Sequence, residues 1–589
     1  MIELLVSLAL AAVLAWPLGR YLAAVMRGGP APGDRVFVRL ERPLYRLLGV
    51  DPTIGMGWKA YAGAFLASNV VLLVLATAVF MGQAWLPLNP NEAPNMRWDL
   101  ALHTTMSFLT NTNQQHYAGQ AQLSHLAQMT AIVGLQVATP MMGLALVVAT
   151  LRGLFGGRAA LQAGPDLRAV PDVVMASTGD AERHAAARVD VGNYWADVIR
   201  PTVRVMLPLC LLWSLLLTAQ GVPSTLAGGP EAIPLDTSAQ MTRQKIPLGP
   251  VAAMVAAKQL GSNGGGWYGP NSAAPLENPT PLSNLLELLA IVLLPVSVVA
   301  MVGTFTGRRR FAALVFGCML TMSLLSGAAA LWTERHGPAP VEAALMEGKE
   351  VRFGVDASAA WAALTTQVNN GSVNMMLDSA APLTGLVAMG NMLVNAIWGG
   401  IGCGLQQFLV YLLLAVFVAG LMTGRTPELF GRKIEAPEVR LLAVLVLLQP
   451  VVLLGLTAAT LAMPSLAGTS NPGAHAIGQV FYEYASAFAN NGSGFEGLAD
   501  ASPWWNLTTT AVLALGRYPA LVIPLVISAL LAAKRAAPES AGTLRIETPT
   551  FALTLLAIVA VLTLLQFMPV LVLGPVAEHL ALASAQVGT

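Results

Sequence analysis

Charged residues are scarce in this sequence. Aspartate, glutamate, lysine and arginine make up 11% of its 589 residues, whereas hydrophobic residues make up 55%. Soluble domains usually carry about 25% charged residues, and a single soluble core stops growing at about 250–300 residues. One large core therefore does not explain the deficit. The net charge of +1 also excludes the strong basic excess that is typical of nucleic-acid-binding proteins.

Cysteine is rare, and several catalytic motifs are missing. Cys210, Cys318 and Cys403 each lie inside an apolar run, so the sequence does not predict a disulfide framework. The seven histidines show no metal-ligand spacing. The chain has neither a Gly-x-x-x-x-Gly-Lys-Ser/Thr phosphate loop nor the Asp-Lys-Thr-Gly motif that P-type pumps phosphorylate. We therefore expect no ATP hydrolysis by this chain, and any uphill transport would draw its energy from another polypeptide.

Long apolar runs are abundant instead. A helix of about 20 apolar residues crosses a bilayer, and ten such runs predict an all-α polytopic membrane protein. The N-terminus has no basic stretch before its first apolar run, so we expect a retained membrane helix rather than a cleaved signal peptide. The predicted spans lie near residues 2–26, 62–82, 127–151, 199–220, 284–304, 311–332, 382–424, 441–463, 508–533 and 551–573.

The seventh predicted span is too long for one straight crossing. Residues 379–424 carry no charge, and the run reads Gly-Gly-Ile-Gly-Cys-Gly from Gly399 to Gly404. Because glycine inside a helix costs about 1 kcal/mol per residue, we predict two half-helices joined by a loop within the membrane. Such a loop persists only where protein buries it or where it lines a cavity. A helix-packing face of small residues is the alternative interpretation.

The basic residues indicate the orientation. Seven of the 32 lysines and arginines fall in loops on one side, and all others except Arg517 fall on the opposite side. The positive-inside rule makes the richer side cytoplasmic and places the N-terminus outside. The charged segment 152–200 is then cytoplasmic, either as a docking surface for a partner or as a solvated loop. The seven outer residues are Arg97, Arg243, Lys245, Lys258, Arg335, Lys349 and Arg352.

Four outer loops share one pattern. Each predicted unit consists of a span, a short stretch able to form a re-entrant helix, a polar loop and a second span. The short stretches cover residues 97–109, 248–260, 356–366 and 475–488. The polar loops are Thr110–Gln115, Gly261–Trp267, Thr365–Ser372 and Ala489–Gly494, in which we take Thr112 as the counterpart of Gly264, Gly371 and Gly492. One Asn-Gly pair would indicate only a turn, but four equivalent positions indicate a pore.

The chemistry of these loops predicts a site for a monovalent cation. Four loops around one axis can replace the water shell of a cation with backbone carbonyls, and glycine permits the backbone angles that this requires. Thr and Asn add neutral oxygens, and the C-terminal ends of short helices carry negative partial charge. A divalent ion would favour carboxylate ligands, and the loop cores contain none.

These features resemble the A-subunit family of Kdp potassium-transporting ATPases. The most specific stretches are Gly261–Thr280, Ala419–Lys433, Ala489–Ser493 and Leu573–Glu578, and Thr110–Asn113 matches the first filter loop of the family. The resemblance covers essentially the whole chain. It implies the fold of a single-chain potassium channel tetramer, with four span–loop–span pseudo-repeats and one extra span at each end.

The resemblance divides the chain into six segments. The first span and a cytoplasmic linker occupy residues 1–60, and the last span occupies residues 538–589. The four pseudo-repeats between them cover residues 61–152, 153–307, 308–432 and 433–537, with filter loops near 110–115, 261–267, 368–373 and 489–494. The third repeat also holds the broken helix near 399–404.

The resemblance also implies which residues handle potassium. Potassium would leave sideways through a tunnel because the loop beneath the filter and Arg517 obstruct the straight path. The loop residues concerned are Gly399, Gly400, Gly402 and Gly404. Gln115 either lines the filter mouth or is an ordinary residue of the outer entrance. The implied potassium-binding filter residues are Asn111, Thr112, Asn113, Ser262, Asn263, Gly264, Val368, Asn369, Asn370, Gly371, Asn490, Asn491 and Gly492.

Partners follow from the same resemblance. It implies that potassium passes to KdpB, a P-type ATPase subunit, and that KdpC and the small KdpF complete a high-affinity uptake complex in the bacterial inner membrane. Potassium is the transported ion, and no other cofactor is implied. The alternative is a self-sufficient channel or transporter of the Trk or Ktr type, which the Kdp-like stretches and the extra terminal spans oppose. Inverted repeats are disfavoured because all four predicted repeats share one orientation.

The sequence departs from the family pattern at three places. Asn369-Asn370-Gly371 stands where the third loop is expected to read Ser/Thr-Cys-Gly. Gln114 replaces a common aromatic residue, and Asn395 replaces an acidic residue before the broken helix. We expect the fold to tolerate these changes, which bear instead on affinity and selectivity.

Three further polar positions have more than one interpretation. Arg517 lies near the middle of the ninth span, where an arginine costs about 2.5–3.5 kcal/mol and normally faces a partner or a cavity. It is either a fixed charge that repels a cation leaving the filter vertically or a structural ion pair or carbonyl clamp. Asp378 is expected mainly to cap the following helix, and the alternative is that it draws cations to the mouth of the pore. Glu277–Pro281 is expected mainly to start the fifth span.

Overall fold

Ten apolar helices dominate the fold. The computed structural model describes residues 2–156, 189–236, 238, 241–338, 342–538 and 543–587. Ten helices in these residues are long and apolar enough to cross a membrane, which confirms the all-α class and the number of spans. In chain order, the first to tenth spans are Ile2–Arg27, Trp58–Trp85, His125–Phe155, Tyr194–Ala219, Pro281–Thr306, Arg309–Arg335, Cys403–Met422, Ala436–Leu461, Pro503–Ala533 and Pro549–Ala585.

The beginnings of three spans share one local sequence signal. A hydroxyl side chain at the N-cap accepts a hydrogen bond from the backbone N–H three residues later, and proline follows the cap directly. This arrangement satisfies one free N–H and uses the fixed φ angle of proline. The capping residues are Thr280, Ser502 and Thr548. The expected start of the fifth span after Glu277–Pro281 is therefore confirmed.

Four short helices precede the four polar loops, as predicted. Most of their residues are buried; the first two end directly before their loops, and the third and fourth extend into the first residues of theirs. We refer to them as the first to fourth pore helices. Their bounds are Trp98–Leu109, Val251–Leu260, Gly354–Gln367 and Ala474–Ala489.

The predicted break in the seventh span is present. The first half-helix, Pro382–Val394, ends at Asn395, whose φ angle of 51° is left-handed. The helix resumes only at Cys403, after Gly399 and Gly402 with φ angles of 60° and 84°. A side chain at Gly404 would clash with the carbonyl group of Trp398. Glycine therefore permits both the positive φ angles and the close backbone packing of this loop.

The remaining elements lie in connections and at the chain end. An amphipathic helix, Asp34–Leu48, follows the first span, and the tenth span bends at Gly574 before its last part, Ala577–Val587. Single helical turns are formed by Gln83–Trp85, Gly119–Gln122, Asn271–Ala273, Glu342–Met346, Leu377–Ser379 and Pro464–Ala467. Two antiparallel pairs of short strands join Glu231–Ala232 with Gln244–Lys245 and Glu428–Leu429 with Arg432–Lys433.

Burial separates central spans from peripheral ones. The most apolar windows of the third and fifth spans are 78% and 83% buried, whereas those of the second and eighth are 22% buried. Exposed apolar side chains on the peripheral spans suit contact with lipid. The first span packs along the fifth, where a side chain at Gly19 would come within 2.8 Å of the Ser297 carbonyl oxygen. Burial therefore marks the third and fifth spans as central.

The expectation that Asp378 caps a helix is wrong. The N-cap of Pro382–Val394 is Ala381, and no side chain caps it. Asp378 Oδ1 instead accepts hydrogen bonds from His475 Nε2 at 3.0 Å and Gln479 Nε2 at 2.8 Å. Asp378 therefore joins the loop before the seventh span to the fourth pore helix. Most of segment 152–200, for which we expect a cytoplasmic position, lies outside the described residues, namely residues 157–188.

Candidate ion-binding filter

The four polar loops share one backbone conformation. Each contains a triplet in which the first and third residues have positive φ angles. Glycine reaches this region without steric cost, and asparagine tolerates it better than most residues. Matching the four triplets by their positive φ angles makes Asn113, and not Thr112, the counterpart of the three glycines. The triplets are Asn111-Thr112-Asn113, Ser262-Asn263-Gly264, Asn369-Asn370-Gly371 and Asn490-Asn491-Gly492, with Val368 directly before the third.

The triplets follow one another in a closed ring. A side chain at the glycine of the second, third or fourth triplet would clash with the middle carbonyl oxygen of a neighbouring triplet. The clashing pairs are Gly264 with Asn370, Gly371 with Asn491, and Gly492 with Thr112. The ring closes between the first and second loops, where Asn113 Nδ2 donates to the Gly264 carbonyl oxygen at 2.9 Å. The glycines are therefore required for the close approach of the loops.

Several oxygens of this ring have no hydrogen-bond donor among the described residues. They include the middle carbonyl oxygens of the triplets, from Thr112, Asn263, Asn370 and Asn491. They also include the buried Oδ1 atoms of Asn113, Asn263 and Asn369. Buried polar atoms are normally paired, and a group of unpaired neutral oxygens is able to coordinate a cation. The ring thus offers neutral oxygens and no carboxylate.

The middle side chains of the third and fourth triplets anchor their loops to a neighbouring pore helix. Asn370 Nδ2 donates to the Lys258 carbonyl oxygen at 3.1 Å, and Asn491 Nδ2 donates to that of Thr365 at 2.9 Å. In both loops, Oδ1 accepts a hydrogen bond from the backbone N–H of the serine two residues later, at 3.0 Å. The third loop therefore repeats both the Asn-Asn-Gly-Ser sequence and the hydrogen bonds of the fourth.

The pore helices direct their C-terminal ends at the ring. The last residue of each helix lies one or two positions before its triplet, so the negative partial charge of the helix end faces the loops. Hydroxyl groups in the last turns hold the glycine positions: Thr365 Oγ1 accepts from the Gly371 N–H at 2.9 Å, and Ser486 Oγ accepts from the Gly492 N–H at 3.0 Å. This geometry favours a cation in the ring.

Lys258 is a structural residue of the site that the sequence analysis missed. Its position in the second pore helix corresponds to that of Thr365 in the third and Ser486 in the fourth, and its side chain is fully buried. Its Nζ forms an ion pair with Glu277 and donates to Ser272 Oγ at 2.8 Å. The signal was present, because a lysine inside an otherwise apolar pore helix needs a buried acidic partner. Lys258 was counted instead only as an outer basic residue.

Gln115 lies at the outer mouth of the ring. Its Oε1 accepts from the Gly266 N–H at 2.7 Å, and its Nε2 donates to the Gly266 carbonyl oxygen at 3.1 Å. These two bonds join the first and second loops above the triplets. Gln115 also lines an outer cavity of about 250 Å³, together with Asn113, Gly371 and Gly492. We call this cavity the vestibule.

Acidic side chains line the vestibule. Glu483, Glu496 and Asp500 contribute to its wall, and His116 lies behind them with its Nε2 3.2 Å from Glu483 Oε1. Burial lowers the pKa of His116, but Asp500 and Glu483 outweigh burial and raise this pKa to about 8. Burial raises the pKa of the Asp500 carboxyl. The sequence analysis assigned no role to any of these residues, because they are far apart along the chain.

The broken helix lies at the opposite end of the ring from the vestibule. Gly400 approaches Asn111 Nδ2 and the Val368 carbonyl oxygen, which belong to the inner ends of their loops. Arg517 is buried, and its guanidinium donates to Cys403 Sγ at the start of the resumed helix. Among the described residues, Arg517 forms no ion pair with a carboxylate. A positive charge is thus held next to the break.

Asn395 joins the third and fourth loops from the same inner side. Its Oδ1 accepts from Asn369 Nδ2, and its Nδ2 donates to the Ala489 carbonyl oxygen at 3.4 Å. A neutral side chain therefore stands where the resemblance predicts an acidic one. The predicted residues are thus connected by contacts: Gln115 lies beside the first and second loops, Gly400 beside the first and third, and Arg517 beside the broken helix.

Comparison with known proteins gives one consistent result. The family model described as "KdpA: Potassium-transporting ATPase A subunit" matches residues 5–580. The "Potassium-transporting ATPase potassium-binding subunit" of Gloeobacter violaceus is 44% identical over 578 residues, which cover 96% of this chain and 95% of that protein. The proteins of the same name from Pseudomonas putida and Alicyclobacillus acidocaldarius are 42% and 41% identical and cover 96% and 98% of this chain.

A solved structure is also similar. The potassium transporter TrkH from Vibrio parahaemolyticus aligns with 88% of this chain and 97% of its own chain, at 14% sequence identity and a TM-score of 0.48.

Proposed function

Because this chain belongs to the family of potassium-transporting ATPase A subunits, we propose that it is the potassium-binding and potassium-selecting subunit of an ATP-driven uptake complex. The observation that carries the proposal is the closed ring of four triplets, whose middle carbonyl oxygens have no donor among the described residues. Four such carbonyls can replace the water shell of potassium. The filter is formed by these triplets together with Val368, and Gln115 forms its mouth.

Selectivity in this proposal depends on a ring of fixed size. The glycine contacts keep neighbouring loops close, and Asn370 and Asn491 anchor two of them to pore helices. Neutral oxygens suit a monovalent cation, whereas carboxylates would favour divalent ions. The Asn370 side chain already donates to a backbone carbonyl, so the Asn-Asn-Gly sequence of the third loop strengthens the wall of the filter and leaves the carbonyl oxygen for potassium.

Potassium then leaves the filter sideways. Gly399, Gly400, Gly402 and Gly404 form the obstruction on the inner side, and the buried charge of Arg517 repels a cation that continues straight ahead. The absence of a described carboxylate partner for Arg517 supports a fixed charge rather than a structural ion pair. The ion passes through an intramembrane tunnel towards a partner subunit.

The energy comes from that partner, because this chain has no phosphate-binding or phosphorylation motif. We propose that KdpB, a P-type ATPase subunit, receives the ion and that KdpC and KdpF complete the complex in the bacterial inner membrane, with the N-terminus of this chain outside. The chain is organised as a first segment 1–60, four repeats, and a last segment 538–589. The repeats cover residues 61–152, 153–307, 308–432 and 433–537.

Potassium-stimulated ATP hydrolysis by the complex, purified through a tag on this chain, tests the proposal. Gly371→Ala places a side chain against the next loop at a φ angle of 90°, whereas the control Gly317→Ala adds a methyl group where nothing lies within 4 Å. We expect Gly371→Ala to raise the KM for potassium about tenfold or more, since each factor of ten corresponds to only about 1.4 kcal/mol. Gly317→Ala should match the wild type.

Two results would contradict the proposal. Equal potassium dependence in both variants would remove the filter assignment. Potassium transport by this chain alone in liposomes, with no ATPase co-purifying, would favour the self-sufficient channel or transporter instead.

A further inference from the structure

A compact group of metal-ligating side chains lies in the wall of the vestibule. His116, Glu483 and Asp500 each offer one ligand atom, and these atoms all lie within 4.8 Å of one another. His116 and Glu483 are buried, whereas Asp500 is partly exposed towards the cavity. The three residues come from the segment after the first filter loop, the fourth pore helix and the segment after the fourth filter loop. Tertiary folding alone brings them together.

Hydrogen bonds on the far side of His116 hold its ring in one orientation. Asn506 Nδ2 donates to Asp99 Oδ2 at 3.0 Å, so Asn506 Oδ1 is the acceptor for His116 Nδ1–H at 2.8 Å. The other nitrogen, Nε2, then faces the Glu483 carboxylate. Metal-bound histidines typically donate their second N–H to an oxygen in this way, which fixes both the tautomer and the ring orientation. His103 stacks on the ring at 3.8 Å and limits its rotation.

The separation between His116 and Glu483 suits two ligands of one small ion. His116 Nε2 lies 3.2 Å from Glu483 Oε1. Zinc bonds to nitrogen and oxygen of about 2.0–2.2 Å in tetrahedral geometry place neighbouring ligands about 3.3 Å apart. The Asp500 carboxylate has no side-chain hydrogen bond with another described residue. Gln114, also buried, donates to Glu483 while its own Oε1 has no donor among the described residues. The cluster therefore retains unused ligand capacity.

A second histidine on the same side shows what an ordinary ion-pair arrangement looks like. His475 contacts Asp378 through Nε2 and Glu578 through Nδ1, so its two carboxylates lie on opposite sides of the ring. One ion cannot bind all three of these groups. In the His116 cluster, by contrast, one nitrogen of His116 and one oxygen of each carboxylate all lie within 4.8 Å of one another. This difference separates a convergent ligand set from a pair of hydrogen bonds.

We propose that His116, Glu483 and Asp500 bind a divalent transition-metal cation, with Zn²⁺ as the best-matched ion, in the wall of the vestibule. One imidazole and two carboxylates suit zinc, whereas Mg²⁺ and Ca²⁺ prefer oxygen ligands only. Solvent from the cavity supplies the remaining position. The ion takes the place of the proton between His116 Nε2 and Glu483, this proton is released to the solvent of the cavity, and no oxidation state changes.

The site would regulate potassium entry, a consequence that rests on the proposed function. Glu483 and Asp500 line the same cavity as Asn113, Gly371 and Gly492. A bound dication adds positive charge there and lowers the local concentration of potassium, because like charges repel most strongly where solvent screening is weak. Zinc should therefore raise the KM for potassium without lowering the maximal rate.

Direct metal binding is the first measurement. The purified complex is stripped with a chelator, titrated with Zn²⁺ by calorimetry, and then tested for bound zinc by elemental analysis. We expect one zinc ion per chain with micromolar affinity in the wild type. His116→Gln and Asp500→Asn should weaken binding about tenfold or more, since even the loss of a hydrogen-bond partner of a metal-bound histidine costs about 10–100-fold. His475→Gln is the matched control and should bind zinc like the wild type, and Mg²⁺ should not compete.

The outcomes separate the metal site from the proposed function. Absence of stoichiometric zinc, or equal binding in wild type and both cluster variants, would overturn the site. Zinc binding at the cluster with an unchanged KM for potassium would overturn its regulatory role. If the zinc-free complex showed no potassium dependence at all, the potassium-binding function would fail, while the calorimetric result would still decide the metal site.

Discussion

The buried ion pair behind the second filter loop makes a strong prediction. Glu277→Gln removes one charge from a pair whose two side chains are fully buried. Breaking a buried pair typically costs about 3–5 kcal/mol, because the remaining charge is left uncompensated. Here Ser272 Oγ still accepts from Lys258 Nζ at 2.8 Å and itself donates to Glu287. Because the Glu287 carboxylate remains nearby, we expect the loss in the free energy of unfolding to lie at the lower end of this range, about 3 kcal/mol.

Ion binding should change as well. Lys258 lies in the last turn of the second pore helix, and its carbonyl oxygen accepts from Asn370 Nδ2. If Lys258 shifts away from its buried position, its carbonyl oxygen shifts as well. The third filter loop then loses the acceptor that holds Asn370. We expect Glu277→Gln to lower the unfolding temperature of the purified complex and to raise the KM for potassium in the ATPase assay.

A surface pair supplies the control. Arg243 and Glu231 also form an ion pair, but their side chains are 76% and 57% exposed. Exposed pairs contribute about 0–1 kcal/mol, so Glu231→Gln should leave both measurements nearly unchanged. The double variant Lys258→Met/Glu277→Gln removes both buried charges and should recover much of the stability, because replacing a whole buried pair by apolar groups is often neutral.

Two results would refute this prediction. Glu277→Gln could unfold at the wild-type temperature, which would mean that Lys258 needs no buried counter-charge. The double variant could also be no more stable than the single one, which would mean that Glu277 acts through its hydrogen bond with the Tyr268 N–H, 2.8 Å long, rather than through its charge.

Two further predictions concern Arg517 and His475. Arg517→Gln removes the positive charge beside the broken helix, so potassium flux into proteoliposomes should become detectable without ATP; an unchanged, tightly coupled flux would contradict the barrier role. Asp378 and Glu578 raise the pKa of His475 from 6.5 to about 9, so the stability that its charge contributes is fully present below about pH 6.5 and is lost as the pH rises through about 9. Thermal unfolding across this range should show the loss in the wild type, whereas His475→Gln should lack this component.

Much of the architecture could be predicted from the sequence. The ten spans follow from apolar runs, because the ability of a helix to cross a bilayer depends on its own length and apolar composition. The break at Gly399–Gly404 and the four filter loops follow from glycine and asparagine, whose backbone preferences are properties of single residues. The four polar loops share one backbone conformation for the same reason, although the counterpart of the three glycines in the first loop is Asn113 rather than Thr112.

Contacts between distant segments required the tertiary structure. Asp378 looked like a helix cap because it precedes one, but its partner is His475, 97 residues later. Lys258 looked like an outer basic residue until the fold buried it against Glu277. His116 and Glu483 are separated by 367 residues, so no spacing rule could pair them.

The sequence by itself determined the membrane helices, the re-entrant loops and the neutral chemistry of the filter, because each depends on local hydrophobicity and backbone freedom. Only the tertiary structure decided which loops touch in the ring, which charges are paired and which ligand atoms converge. These features depend on the direction of side chains after distant segments have packed, and two side chains acquire a defined distance only when both of their helices have fixed positions.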